Sequence, residues 1–242
     1  MTWRLVVALT TILLILPAAS AAPPSRPTIT GVGSDTSATA DSVALPVPPP
    51  RLSLSRFSVW VAGSVYSGGV LGSLQDGWFG LVGIRYHRLL IPNRRKDRAP
   101  HDAATLTYTA DLIPLARITV PKGTPPMARS LRTRSVTERG LQTWGLGIYP
   151  LGLRVGFRPS KEVRPFISGH TGLFHLFDAM PDERGRRLNF AVGVGVGLEF
   201  ELTRRTTVTL GYRYHHLSNG FRGRINPGFD ANLLYVSIGQ AP

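Results

Sequence analysis

From Leu52 onward apolar and polar positions alternate along the chain, placing successive side chains on opposite faces of an extended strand. The clearest run is Leu188 to Leu202. Its even positions are apolar (Leu188, Phe190, Val192, Val194, Val196, Leu198, Phe200 and Leu202), and its odd positions are small or polar. A second run, Ala104 to Leu112, sets Leu106, Tyr108, Ala110 and Leu112 against Thr105, Thr107, Thr109 and Asp111. The pattern predicts strands over about 52–66, 77–91, 102–116, 141–158, 163–177, 187–203, 205–218 and 230–240. The fourth changes phase around Pro150, which predicts a bulge or two shorter pieces. An even number of strands closes an antiparallel barrel and leaves no sheet edge. The fold class expected is therefore all-β, an eight-stranded antiparallel transmembrane β-barrel.

A soluble sandwich would alternate too, and two features of the pattern favour the membrane. Leu188 to Leu202 is longer than the roughly 9–11 residues a tilted transmembrane strand needs. One face also carries small and charged residues, which suit a polar barrel interior. The N-terminus adds a third. Arg4, the apolar run Leu5 to Leu16 and the small residues Ala18-Ala19-Ser20-Ala21-Ala22 read as a secretory signal peptide cut after Ala21. No other apolar stretch is long enough for a membrane-spanning helix. The expected organisation is a signal peptide at 1–21, a periplasmic leader rich in Pro, Ser, Thr and Ala at 22–50, and a barrel domain at 51–242. Cysteine is absent, so an exported chain has no disulfide framework to draw on.

Charge changes the picture in one respect. There are 28 Lys and Arg against 14 Asp and Glu, yet the aromatic residues alternate within strands and do not interleave with a basic stripe, which argues against nucleic acid as partner. Much of the charge falls between strands, at Arg94-Arg95-Lys96, Arg129 to Arg139 and Arg184 to Arg187. Such loops are either solvated or attract the phosphates of an anionic glycolipid at the membrane surface.

Candidate chemistry lies in the last hairpin. In the seventh segment Val208, Leu210, Tyr212, Tyr214, His216 and Ser218 share the apolar face, while Arg213 and His215 point into the barrel. His216 and Ser218 thus stand on the lipid-facing wall, where polar groups cost free energy unless they have partners. Asp230 opens the eighth segment, and hairpin pairing can bring it to them. Ser218 is then a candidate nucleophile, His216 its base, and Asp230 the group that orients the imidazole. Asn219 and Gly220 follow the nucleophile, where an amide can meet an oxyanion. If the chain starts in the periplasm, odd strands run outward and this site lies at the outer leaflet. An interfacial belt, with His216, Ser218, Tyr212 and Tyr214 bonded to headgroups or water, accounts for the same residues without catalysis.

The stretch Gly211-Tyr212-Arg213-Tyr214-His215-His216-Leu217-Ser218-Asn219, followed by Asn226-Pro227-Gly228-Phe229-Asp230, resembles the C-terminal signature of PagL-type lipid A 3-O-deacylases. The shared pattern is H-x-S-N, an N-x-G turn, then an acid. The resemblance implies an eight-stranded outer-membrane barrel that hydrolyses the ester at position 3 of lipid A. It implies His216 as base, Ser218 as nucleophile, Asn219 and the Gly220 backbone at the oxyanion, Asp230 at the acidic position, and Asn226 and Gly228 as shapers of the loop. Two positions depart from the family pattern: Asp230 stands where it has Glu, and Gly220 where it has Ala.

Other residues are less promising. His170 and His175 are five apart and fall on opposite faces of a strand, a poor metal pair. His87 and His101 flank a basic loop and are expected to be solvated. Gly193, Gly195 and Gly197 alternate with valines inside a strand, so they make room in a narrow interior and do not form a nucleotide loop. No spacing implies a metal or an organic cofactor. The expected partners are lipopolysaccharide, its lipid A and other outer-membrane lipids, with a homodimer left open. A non-catalytic barrel (structural, adhesive or a small pore) and a lipid acyltransferase stand beside the esterase as alternatives.

Overall fold

Alternating segments become a cylinder when each strand finds partners on both sides. In the computed structural model the described residues are 55–68, 70–74, 76–91, 104–121, 140–157 and 162–241. The expected signal peptide and leader, and His101, lie outside them. The strands are β1 (Ser55–Tyr66), β2 (Trp78–Ile91), β3 (Ala104–Val120), β4 (Leu141–Phe157), β5 (Val163–Met180), β6 (Arg186–Glu201), β7 (Thr206–Ser218) and β8 (Phe229–Gln240). Each pairs antiparallel with its neighbour in sequence, and β1 pairs with β8 from Phe57↔Gln240 to Tyr66↔Asn232, which closes the barrel.

The expected phases hold where the pattern was clean. On β6 Leu188, Phe190, Val192, Val194, Val196 and Leu198 are exposed on the outer wall. With Val59, Ile84, Leu112, Leu146, Ile148, Leu153, Ile167 and Leu210 they form an apolar belt of the kind that meets lipid. The glycines of β6 face inward and make room. A Cβ on Gly193 would come within 2.5 Å of the His170 ring, and one on Gly197 within 2.5 Å of the Phe166 ring.

Two strands change phase. β4 is one continuous strand whose pairing with β5 shifts between Ile148 and Leu151, so Tyr149 points inward and Leu151 outward. The bulge sits at the expected proline. On β3 a second shift lies between Ile113 and Ala116. The strand continues to Val120, beyond the expected end at 116, and its inward residues become Ile113, Ala116, Ile118 and Val120. His87 is a correction. It is 6% exposed inside the barrel, with Nε2 at 3.0 Å from Ser58 Oγ, because the inward phase of β2 extends past Arg85. His170 is buried and His175 exposed, on opposite faces as expected.

The interior has two zones. Toward the end where β1 begins and β8 ends, Glu199 meets Arg56 at 2.6 Å, Arg154 at 2.9 Å and Arg164 at 3.3 Å. Further along, Arg85 grips Asp111 through Nε at 2.6 Å and Nη2 at 2.8 Å. Arg213 lies over the Trp60 ring at 5.0 Å. Charges withdrawn from water persist where opposite charges and aromatic faces replace it. Toward the other end the filling is apolar, with Phe79, Ile113, Ile118, Tyr149, Phe174, Leu176, Leu217 and Phe229 in one buried cluster. His215 is stacked on Phe79 at 5.2 Å. The expectation of a polar interior thus holds for one half of the barrel, and the half beside the candidate site is packed like a protein core.

Candidate active site

β7 and β8 are in register at His216↔Asp230, Leu217↔Phe229 and Tyr214↔Asn232. Directly opposed residues of an antiparallel pair project from the same face with their Cβ atoms about 4.5–5.5 Å apart. His216 and Asp230 therefore meet on the outer wall, and His216 Nδ1 lies 2.6 Å from Asp230 Oδ1. A carboxylate oxygen can only accept, which fixes the proton on Nδ1 and leaves Nε2 as the basic nitrogen.

Asp230 is fully buried although it faces outward, because a loop covers it. The link between β1 and β2 crosses this end of the barrel as a strap. Its Leu71 and Gly72 N–H groups donate to Asp230 Oδ2 at 2.9 and 2.8 Å. One carboxylate oxygen thus holds the imidazole and the other is held by two backbone amides. The strap is itself anchored to the chain just before Asp230. Ser73 N and Oγ both donate to Pro227 O, at 2.6 and 2.7 Å, and Leu74 N donates to Gly228 O at 3.2 Å. Leu74 bridges Phe229 and is buried in the apolar cluster. Close approach requires glycine on both sides. A Cβ on Gly72 would lie 2.9 Å from the Gly228 carbonyl carbon, and one on Gly228 2.8 Å from His216 Cε1. Gly228 also has φ +65°, which L side chains disfavour.

Ser218 ends β7 on the same outward face, opposite Phe190 of β6. Among the described residues no hydrogen bond joins Ser218 to His216. The turn that follows has φ +62° at Gly220 and +60° at Phe221, and a Cβ on Gly220 would press on the Phe190 ring at 2.8 Å. Asn219 is buried and braces the loop. Its N–H donates to Asn226 Oδ1 at 2.9 Å, and its side-chain amide donates to Ile225 O at 2.7 Å. Asn226 shapes the loop through that contact. The Asn219 amide is thus committed to the loop, and the Gly220 N–H, which meets no described residue, is the donor nearest in sequence to Ser218 that remains free.

The strap escaped the sequence reading. Its one signal is the small-residue run Ser67-Gly68-Gly69-Val70-Leu71-Gly72-Ser73, the composition of a loop whose amides can reach an anion.

Comparison with known proteins adds a family resemblance over part of the chain. Residues 129–238 match the family model of the lipid A 3-O-deacylase PagL. Among solved structures, the outer membrane enzyme PagL is 18% identical with a TM-score of 0.45, over 74% of this chain and 97% of its own. Neisserial surface protein A is 12% identical with a TM-score of 0.44, over 78% and 98%. The outer membrane protein OprG from Pseudomonas aeruginosa is 10% identical with a TM-score of 0.40, over 78% and 96%. No curated protein matches the chain. The matched segment, which is similar to that family model, contains His216, Ser218, Asn219, Gly220, Asn226, Gly228 and Asp230.

Proposed function

We propose that the protein is an outer-membrane esterase that removes an ester-linked acyl chain, the one at the 3-O position, from lipid A of lipopolysaccharide. The observation that carries this reading is the His216–Asp230 pair. It is a hydrogen-bonded acid–base couple on the outer wall of a barrel, with its carboxylate sheltered and Ser218 two residues along the same face. An exposed wall is the wrong place for such a pair unless the substrate lies in the membrane beside it.

In this mechanism Ser218 Oγ attacks the acyl carbonyl carbon while His216 Nε2 takes the hydroxyl proton. Asp230 holds the Nδ1 proton and stabilises the imidazolium. The carbonyl oxygen becomes an oxyanion that accepts from the Gly220 N–H. The intermediate collapses by breaking the bond between the carbonyl carbon and the sugar oxygen, which leaves with the proton from Nε2. Water then attacks the acyl-serine, again through His216, and releases the fatty acid with Ser218 restored. The contact between Ser218 and His216 forms on substrate binding, since such bonds are often loose before it. Sidedness follows from the chain. The start of β1, the end of β8 and the short link at 202–205 lie at one end and the site at the other, the arrangement of a barrel whose short turns face the periplasm.

Mass spectrometry of lipid A from cells expressing the protein, beside cells expressing Ser218→Ala, tests this. The expected result is loss of one hydroxy-fatty acid with the unaltered protein alone. Unchanged spectra from both, with folded barrel in the outer membrane, would overturn the reading.

A further inference from the structure

The end of the barrel that carries the candidate site has a cleft of about 610 Å³ between the β5–β6 turn and the β7–β8 loop. Three arginines line it, Arg186, Arg187 and Arg222, against one carboxylate, Glu183. The neighbouring Arg184 is occupied by Asp182 at 2.6 Å. Among the described residues no acid pairs with Arg186, Arg187 or Arg222, so the cleft gathers positive charge that no described carboxylate neutralises by an ion pair.

The arginines are mounted on a rigid frame. Asn189, fully buried, donates to the carbonyls of Arg186 and Arg187, both at 3.0 Å. Arg222 donates from Nε to Asn219 O at 2.9 Å and from Nη2 to Leu188 O at 2.7 Å. Its guanidinium lies over the Phe190 ring at 4.6 Å. Arg186 Nε donates to Arg222 O at 2.8 Å. Each of the two keeps terminal N–H groups that no described residue uses, and Arg187 keeps its whole guanidinium. Guanidinium forks held close without an acid are the usual means of binding a phosphate.

The frame is continuous with the candidate active site. Arg222 is fixed to the carbonyl of the residue after Ser218, and Phe190, which it covers, stands opposite Ser218 in the β6–β7 register. Arg186 lies four residues further toward the rim than Phe190, about 13 Å along a strand.

We propose that this cleft binds a phosphate monoester of the acylated glycolipid and sets which ester reaches Ser218. The proposal rests on the esterase reading, but binding can be measured without hydrolysis. The experiment compares Ser218→Ala protein with Ser218→Ala carrying Arg186→Gln and Arg187→Gln, both refolded in detergent and checked for the folded electrophoretic band. Each is titrated with diphosphorylated lipid A and with chemically dephosphorylated lipid A. The expected result is at least tenfold weaker binding of the phosphorylated lipid by the triple variant, with the dephosphorylated lipid bound equally by both. Equal binding of the phosphorylated lipid by the two proteins overturns the proposal, and so does an equal loss for both lipids. Inorganic phosphate at the lipid's concentration is expected to displace nothing. Displacement by it would make the cleft a free-anion site and overturn its assignment to a lipid. Failure of the esterase reading looks different, since no fatty acid is then released by protein with intact Ser218 while these affinities keep their pattern.

Discussion

Replacing Gly72 by alanine tests whether the strap sets the chemistry. The added Cβ falls 2.9 Å from the Gly228 carbonyl carbon and 3.0 Å from Asp230 Oδ1. Neither is the loose end of a flexible side chain, so the strap must lift. The hydrogen bond most exposed to that movement is the one from Gly72 N to Asp230 Oδ2 at 2.8 Å. A hydrogen bond to a charged group contributes about 1.5–3 kcal/mol. If that is lost from the orientation of Asp230, turnover falls by about 10- to 150-fold. The assay is release of fatty acid from lipid A by purified protein in detergent, with folding checked by heat-modifiable migration. Leu71→Ala is the control. It keeps the N–H that reaches Asp230 at 2.9 Å, and the side chain it removes is 63% exposed, so its activity should stay within about twofold of the unaltered protein. A folded Gly72→Ala enzyme that also works within twofold would refute the reasoning, because Asp230 would then not need the strap.

Asp230→Asn keeps the shape of the site but removes the acceptor charge that fixes the His216 tautomer. Turnover should drop by about 10²- to 10⁴-fold in a barrel that still folds, and initial-rate assays that find less than a fivefold loss would remove Asp230 from the mechanism. Gly193→Val drives a side chain into the His170 ring, 2.5 Å from where its Cβ would sit. It should destabilise the barrel by about 1–3 kcal/mol, read as a lower midpoint in urea unfolding, and an unchanged midpoint would show that the interior has slack.

How far the sequence discloses this fold depends on what fills each part of the barrel. β6 is legible because its inner positions are glycines and its outer ones valines and leucines. The bulge on β4 is legible because Pro150 marks it. On β3 the run Leu112-Ile113-Pro114-Leu115-Ala116 is apolar on both faces, since the exposed apolar belt lies outside and the apolar cluster inside. Alternation is erased there, and the extension to Val120 goes unseen. His87 misleads for the opposite reason, since a polar interior accepts the residue types that loops contain. The His216–Asp230 contact follows from hairpin register between adjacent strands. The strap cannot be found that way. It acts through backbone N–H groups, which leave no mark on residue type, and it meets Asp230 from 158 residues away in sequence at Gly72.

The strap also joins the site to the seam of the barrel. It springs from β1, the first strand, and grips the start of β8, the last, and these two form the closure from Phe57↔Gln240 to Tyr66↔Asn232. A chain whose first and last strands have not yet met has His216 and Ser218 on β7 but no amides over Asp230. The acid then sits in open surroundings, free to turn away from the imidazole. Closure of the cylinder and shielding of Asp230 are thus coupled, so a chain whose barrel has not closed carries its acid–base pair without the amides that hold it.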